Sequence, residues 1–167
     1  MQGTPFNSIA VANRFIEFSK ADGVSITTMK LLKLVYFAHG WYWGICDKPL
    51  LNEQVEAWKF GPVAPNVYHT FKNYESGPIT DFGKEVEFRN GIVFQTPMLP
   101  NLESLTSFME RIWSIYGKLS AFQLSEMTHQ QDTPWYKTWH NMGGSTRKNT
   151  DIPDALIQEY FKAKLAA

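Results

Sequence analysis

Residues 25–44, SITTMKLLKLVYFAHGWYWG, constrain the fold more than any other stretch. Leu31, Leu34, Val35, Ala38 and Trp41 or Tyr42 recur at helical spacing and make a broad apolar face. Only Lys30, Lys33 and His39 are left as a polar remainder. A helix that is apolar round most of its circumference belongs in the middle of a domain or in a bilayer. The run falls short of the roughly 18 consecutive apolar residues of a membrane span. It is therefore expected to be the central buried helix, with Thr27 or Thr28 as its N-cap.

The other segments read as elements wrapped round this one. SIAVANRFIEFSKADG predicts a helix with Ser8 as cap and Ile9, Ala12, Phe15 and Ile16 on one face, ended by Gly23. Asp47, Lys48 and Pro49 make a turn, and Leu51, Val55 and Ala57 alternate with polar residues in a short extended segment. In WKFGPVAPNVYHTFK, Gly61-Pro62 makes a corner, Ala64 is held extended by the proline after it, and Pro65 starts a short helix over 65–74. Val67 and Phe71 are its inner residues. EVEFRNGIVFQ predicts a hairpin over 86–94, because Asn90 and Gly91 both tolerate the positive φ of a type I′ turn.

NLESLTSFMERIWSIYG returns to helical period, with Leu105, Phe108, Ile112, Ile115 and Tyr116 as its stripe and Gly117 as its end. Ser120 and Gln123 form a capping box for a helix through about Met127. Thr133 before Pro134 starts a short helix over PWYKTW. MGGSTRKNTD is a polar loop, and Asp151-Ile152-Pro153 opens a last helix with Leu156, Tyr160 and Phe161 inward and a frayed KLAA end. The fold class expected is mainly α (α+β): a compact helical domain with a short β-strand or hairpin element, one domain over residues 1–167.

Charge narrows the partners. Sixteen basic and sixteen acidic residues cancel, which argues against a dominant electrostatic grip on nucleic acid. Association between proteins, including with a second copy, meets little long-range repulsion. Cys46 is the sole cysteine, so no internal disulfide forms and a reducing compartment is expected. The N-terminus has no basic region followed by an apolar run, so a cytoplasmic protein without signal peptide is the expectation.

Motifs that carry chemistry are missing. His39, His69, His129 and His140 have no metal-ligand spacing, and no cofactor loop or nucleophile elbow occurs. Cys46 follows the central helix instead of opening one, so no helix N-terminus activates it. GGSTRK, residues 143–148, lacks the spacing of a phosphate loop. His129 stands near Glu126 and Asp132, yet a base without a nucleophile is half a mechanism, and a helix-end structural role fits better. No enzyme activity, metal or cofactor is expected. Lys59, Lys72, Lys137 and the segment STRKNT read as solvated surface cations. Six tryptophans and seven tyrosines exceed what one small core needs. Trp41 and Trp113 fit the core by helix face, whereas Trp43, Trp58 and Trp139 are candidates for exposure, where aromatic residues anchor interfaces.

Residues 31–74, LLKLVYFAHGWYWGICDKPLLNEQVEAWKFGPVAPNVYHTFKNY, resemble the signature of the Panacea antitoxin domain. LSEMTHQQDTPWYKTW resembles the same family's threonine–histidine to proline–tryptophan block, and the last helix fits its ending. The resemblance implies an antitoxin, of a kind also seen in phage-associated proteins, that neutralises a protein toxin encoded by the adjacent gene, mainly by direct contact. His39 departs from the family, in which glutamine is common there. Trp43, Trp58, Lys59, Tyr68, His129, Trp135 and Trp139 are the candidate toxin contacts. Rival readings are a nucleic-acid-binding phage or operon regulator, a detoxifying enzyme using His129, and an adaptor that delivers the toxin to a protease.

Overall fold

The computed structural model describes residues 5–167; Met1–Thr4, with the start of the segment read for a signal peptide, lie outside the described residues. Its axis is the apolar helix α2, Thr28–Cys46, capped by the Thr27 side chain on the Lys30 N–H. Residues 30–40 are buried without a break. The supposed polar remainder is buried as well. The Lys30 Nζ donates to the Gly117 carbonyl at 2.5 Å, the Lys33 Nζ to the Pro62 carbonyl at 3.3 Å, and the His39 Nδ1 accepts from the Leu51 N–H at 3.3 Å. The other elements therefore supply backbone acceptors and donors to this helix as well as apolar cover.

α1, Ser8–Asp22, packs on α2 and ends at Gly23, whose φ of 65° is the left-handed cap that glycine takes readily. Its N-cap is Asn7 rather than Ser8; the Asn7 carboxamide accepts from the Ile9 and Ala10 N–H groups. Ser8 is turned inward, its hydroxyl bonded to the Glu53 carboxylate. β1, Glu56–Trp58, pairs antiparallel with β2, Gly61–Val63, and on its other edge with β5, Thr150–Asp151. α3, Pro65–Phe71, follows β2 and buries Val67 and Phe71 as expected. β3, Glu85–Phe88, and β4, Ile92–Gln95, form a separate two-stranded ribbon. Asn90 and Gly91 both have positive φ, but Phe88 pairs with Ile92, so the loop has three residues rather than the two of a type I′ turn.

α4, Glu103–Tyr116, rotates from the expected stripe. Trp113 is buried, as its helix face indicated, and Met109 with it, while Phe108 is half-buried and Ile115 faces solvent. Trp113 gains a partner by this, its Nε1 donating to Asp22 Oδ2 at 2.7 Å. α5, Ala121–Thr128, has the capping box of Ser120 and Gln123. α6, Pro134–Tyr136, is capped by Thr133 and continues as a π-turn over Lys137–Asn141.

α7, Asp154–Ala166, closes the domain on α2 and stays helical through the end expected to fray. Ile157 and Phe161 are its buried pair, four residues apart, with Leu156 and Tyr160 half-buried beside them. Phe161 sits over Gly40 and Gly44 of α2, with Tyr36, Phe37, Trp41 and Tyr160 round its ring. Trp41 is half-buried rather than core, because its Nε1 reaches out to the Tyr116 hydroxyl at 2.7 Å. No helix among the described residues is long and apolar enough to cross a membrane.

A Cβ on Gly40 would lie 2.1 Å from the Phe161 ring, which its aromatic neighbours hold in place. Gly40→Ala is expected to lower stability by about 1–3 kcal/mol despite alanine's better helix propensity. A urea-unfolding midpoint at or above the parent value would contradict this packing.

Candidate functional site

The corner residues are assembled by β pairing. Trp58 lies opposite Gly61, with Lys59 and Phe60 as the two-residue turn between them. Gly61 takes φ 116° there, and a Cβ would meet the Lys33 Nζ at 2.6 Å, so this position needs glycine for both conformation and space. Trp58 is held at three points. Its indole Nε1 donates to Glu56 Oε2 at 2.6 Å, its backbone carbonyl accepts from the Trp135 Nε1 at 2.7 Å, and the Tyr68 ring packs edge-on to the indole at 4.8 Å. His69 lies at the outer rim, 6.5 Å from the same indole.

Trp135 stacks on Trp139 at 5.7 Å and carries the His129 ring at 4.0 Å. Five of the expected contact residues, Trp58, Tyr68, His129, Trp135 and Trp139, thus form one aromatic group joining β1, α3, α5 and α6 with its π-turn. Within it Trp135 is only 3 % exposed. Its indole is therefore a brace beneath Trp58 and is closed to a partner, since burying its N–H required the Trp58 carbonyl as acceptor. Trp43 stands apart from these ring contacts, edge-on to His39 at 6.4 Å on α2.

A groove of about 300 Å³ opens beside this group, lined by Trp58, Trp139, Lys59, Arg147 and Lys148 among others. No carboxylate belongs to its lining. β5 builds it: pairing Thr150 with Ala57 draws the preceding loop, with its left-handed Gly143 and Asn149, over the corner. Arg147 and Lys148, taken from sequence as dispersed surface cations, are gathered with Lys59 by this pairing. The strand has two residues and no apolar alternation, so only the register with β1 reveals it.

The His129 Nδ1 lies 2.6 Å from the Ser125 carbonyl; a carbonyl only accepts, so Nδ1 carries the hydrogen. Its bond is to backbone, not to Glu126 or Asp132. Burial lowers His39 to about 3, which keeps its imidazole neutral, with Nε2 buried and unpartnered. Burial also pushes the Cys46 thiol up, away from thiolate reactivity. Among the described residues no three His, Cys, Asp or Glu side chains converge as a metal site. Burial takes the Lys33 ammonium from its ordinary 10.5 down to about 7.

Lys33 generates a pH signature. Between pH 7 and 10.5 the unfolded chain keeps a proton that the folded chain has released, so stability rises with pH across that window. The penalty is fully present below about 7. Lys33→Met is expected to be more stable than the parent at acidic pH by on the order of 1–4 kcal/mol, the gain shrinking towards pH 10.5. Urea unfolding of both chains across that range checks it; a variant no more stable at acidic pH would contradict it.

Residues 31–136, more than half of the chain, match the family described as "Antitoxin SocA-like, Panacea domain". The chain is 31 % identical over 154 residues to Antitoxin SocA of Caulobacter vibrioides (strain NA1000 / CB15N), an alignment covering 92 % of this chain and 81 % of that protein. No solved structure matches the chain. The matched span contains the central helix from Leu31 onward, the Trp58 corner and the Thr133–Pro134 start of α6, and the chain belongs to the Panacea-domain family of SocA-like antitoxins.

Proposed function

We propose that this protein neutralises a cognate protein toxin, encoded by the adjacent gene, by binding it and covering its working surface. The observation that carries the reading is the groove lined by two indoles and three cations, with the Glu56 carboxylate held against the Trp58 N–H, on a member of an antitoxin family. Tryptophan and arginine anchor interfaces out of proportion to their number, and neighbouring cations steer an acidic partner surface on to them. Trp58, Lys59, Tyr68 and Trp139 are the proposed contacts here, braced by Trp135. An interface of ordinary size, about 1,600 Å² in total, extends well beyond the groove.

Neutralisation by contact, without chemistry, fits the engagement of His129 by the Ser125 carbonyl. The groove also gives a specific reason to test nucleic acid, because indoles and cations together hold single strands. A gel shift with the operon's own DNA and RNA at physiological salt separates the two; direct neutralisation predicts no shift.

The protein and an inactivated product of the neighbouring open reading frame are expected to co-elute as a complex, and co-expression with the active form to restore growth. His129→Ala is expected to preserve both. Rescue without a complex, or a complex in which His129→Ala alone abolishes rescue, would overturn the reading.

A further inference from the structure

The ribbon of residues 85–95 is folded inside out. Among the described residues β3 and β4 pair only with each other, Val86 opposite Phe94 and Phe88 opposite Ile92. Cross-strand partners and alternate residues share a face. Val86, Phe88, Ile92 and Phe94 therefore make one face, and Glu85, Glu87, Val93 and Gln95 the other. The polar bonds belong to the second face. Gln95 Nε2 donates to Glu87 Oε2 at 2.8 Å, Arg89 pairs with Glu87 at 2.9 Å, and Glu85 accepts from the Asn7 Nδ2 at 2.8 Å, which ties this face to the start of α1. The apolar face meets solvent, with Phe88 82 %, Ile92 67 %, Phe94 66 % and Val86 48 % exposed. Together they leave roughly 500 Å² of apolar surface open. That is at the upper end of what a monomer tolerates, and such patches mark interaction sites.

The domain holds this ribbon firmly without using it as core. None of its apolar side chains packs into the hydrophobic core. A two-stranded ribbon alone is marginal in water, and this one is clamped at both roots by one residue. Asn13 of α1 is fully buried, and its carboxamide makes three bonds to them. Oδ1 accepts from the Gly83 N–H at 2.7 Å, while Nδ2 donates to the Gly83 carbonyl at 3.0 Å and the Pro97 carbonyl at 2.8 Å. Gly83 leaves no room for a Cβ against Phe71 and Thr70 of α3. Tyr68, one turn before Phe71 on α3, packs edge-on to Trp58, so this helix links the ribbon to the groove.

We infer that the ribbon is the element that enters the toxin: it inserts Phe88, Ile92 and Phe94 into an apolar cleft on that protein and offers a free strand edge to its backbone. This rests on the toxin-binding reading above. A cleft fits better than a second copy on grounds of area. Two ribbons stacked face to face bury about 1,000 Å² in total, the floor for a specific interface. They would leave Val93, 43 % exposed, and the outer strand edges uncovered. A cleft that takes the apolar face, the tip with Val93 and one strand edge covers more of this surface than a second copy does. The charged pair at the ribbon's tip, Glu87 with Arg89, is already neutralised on entry.

The test uses the full chain and the inactivated product of the neighbouring open reading frame. Phe88→Asp/Phe94→Asp removes the apolar face without touching the core, and Phe88→Ser/Phe94→Ser does so without added charge. Both are expected to keep the parent's melting temperature and mass by light scattering, to bind the toxin at least 100-fold more weakly, and to lose growth rescue. Parent-like binding by both variants would overturn the inference and leave the toxin-binding reading intact. Failure of the parent itself to bind would sink that reading. A parental dimer that the variants convert to monomer, with toxin binding unchanged, would show that the ribbon serves a second copy and would also overturn the inference.

Discussion

The docking of Phe161 on Gly40 and Gly44 sets the distance between α2 and α7, and most of the domain is arranged round that approach. A glycine within a helix costs about 1 kcal/mol in propensity. Here the missing side chains leave a trough that a phenyl ring fills, against Tyr36, Phe37, Trp41 and Tyr160. With α7 on one side and α1, α4 and α5 on others, α2 has no solvent-facing stripe over residues 30–40. Its polar side chains must then find partners inside. Lys30, Lys33 and His39 do so through backbone groups of the α4–α5 turn, β2 and the chain before β1. The buried amines are costly, and they tie the corner and the helix ends to the central element.

That arrangement gives the aromatic corner its stiffness. Lys33 fills the space beneath Gly61, and Trp135 donates to the Trp58 carbonyl. Trp58 is thereby pre-organised, which lowers the entropy lost when a partner orders it. β5 contributes nothing to the core by its own two side chains, yet it positions Arg147 and Lys148 against the same indole.

Local signals were legible in the sequence and tertiary ones were not. Thr27, the Ser120–Gln123 box, Thr133–Pro134 and Gly23 act within a few residues, and each stands where its chemistry indicates. Ser8 lost the cap to its neighbour Asn7 because Glu53, distant in sequence, takes its hydroxyl. The α4 stripe turned because Trp113 finds Asp22 on α1, a pairing that periodicity cannot contain. Trp135, a candidate toxin contact by sequence, is buried because its indole's acceptor, the Trp58 backbone carbonyl, lies far along the chain. The hairpin was evident from Asn90-Gly91, but which face looks outward depends on Asn7 and Asn13.

The protein thus presents two unusual surfaces joined by α3: a cationic indole groove and an apolar ribbon held out by a buried asparagine. The proposed contact with a toxin would use both, the ribbon as inserted wedge and the groove as charged flank. Hydrogen–deuterium exchange of the chain, alone and with the inactivated toxin, tests that account most directly. The account predicts slowed exchange over residues 85–95 and round Trp58, with the α2–α7 core unchanged. Unaltered exchange at both surfaces, in the presence of a toxin that the protein demonstrably neutralises, would contradict it.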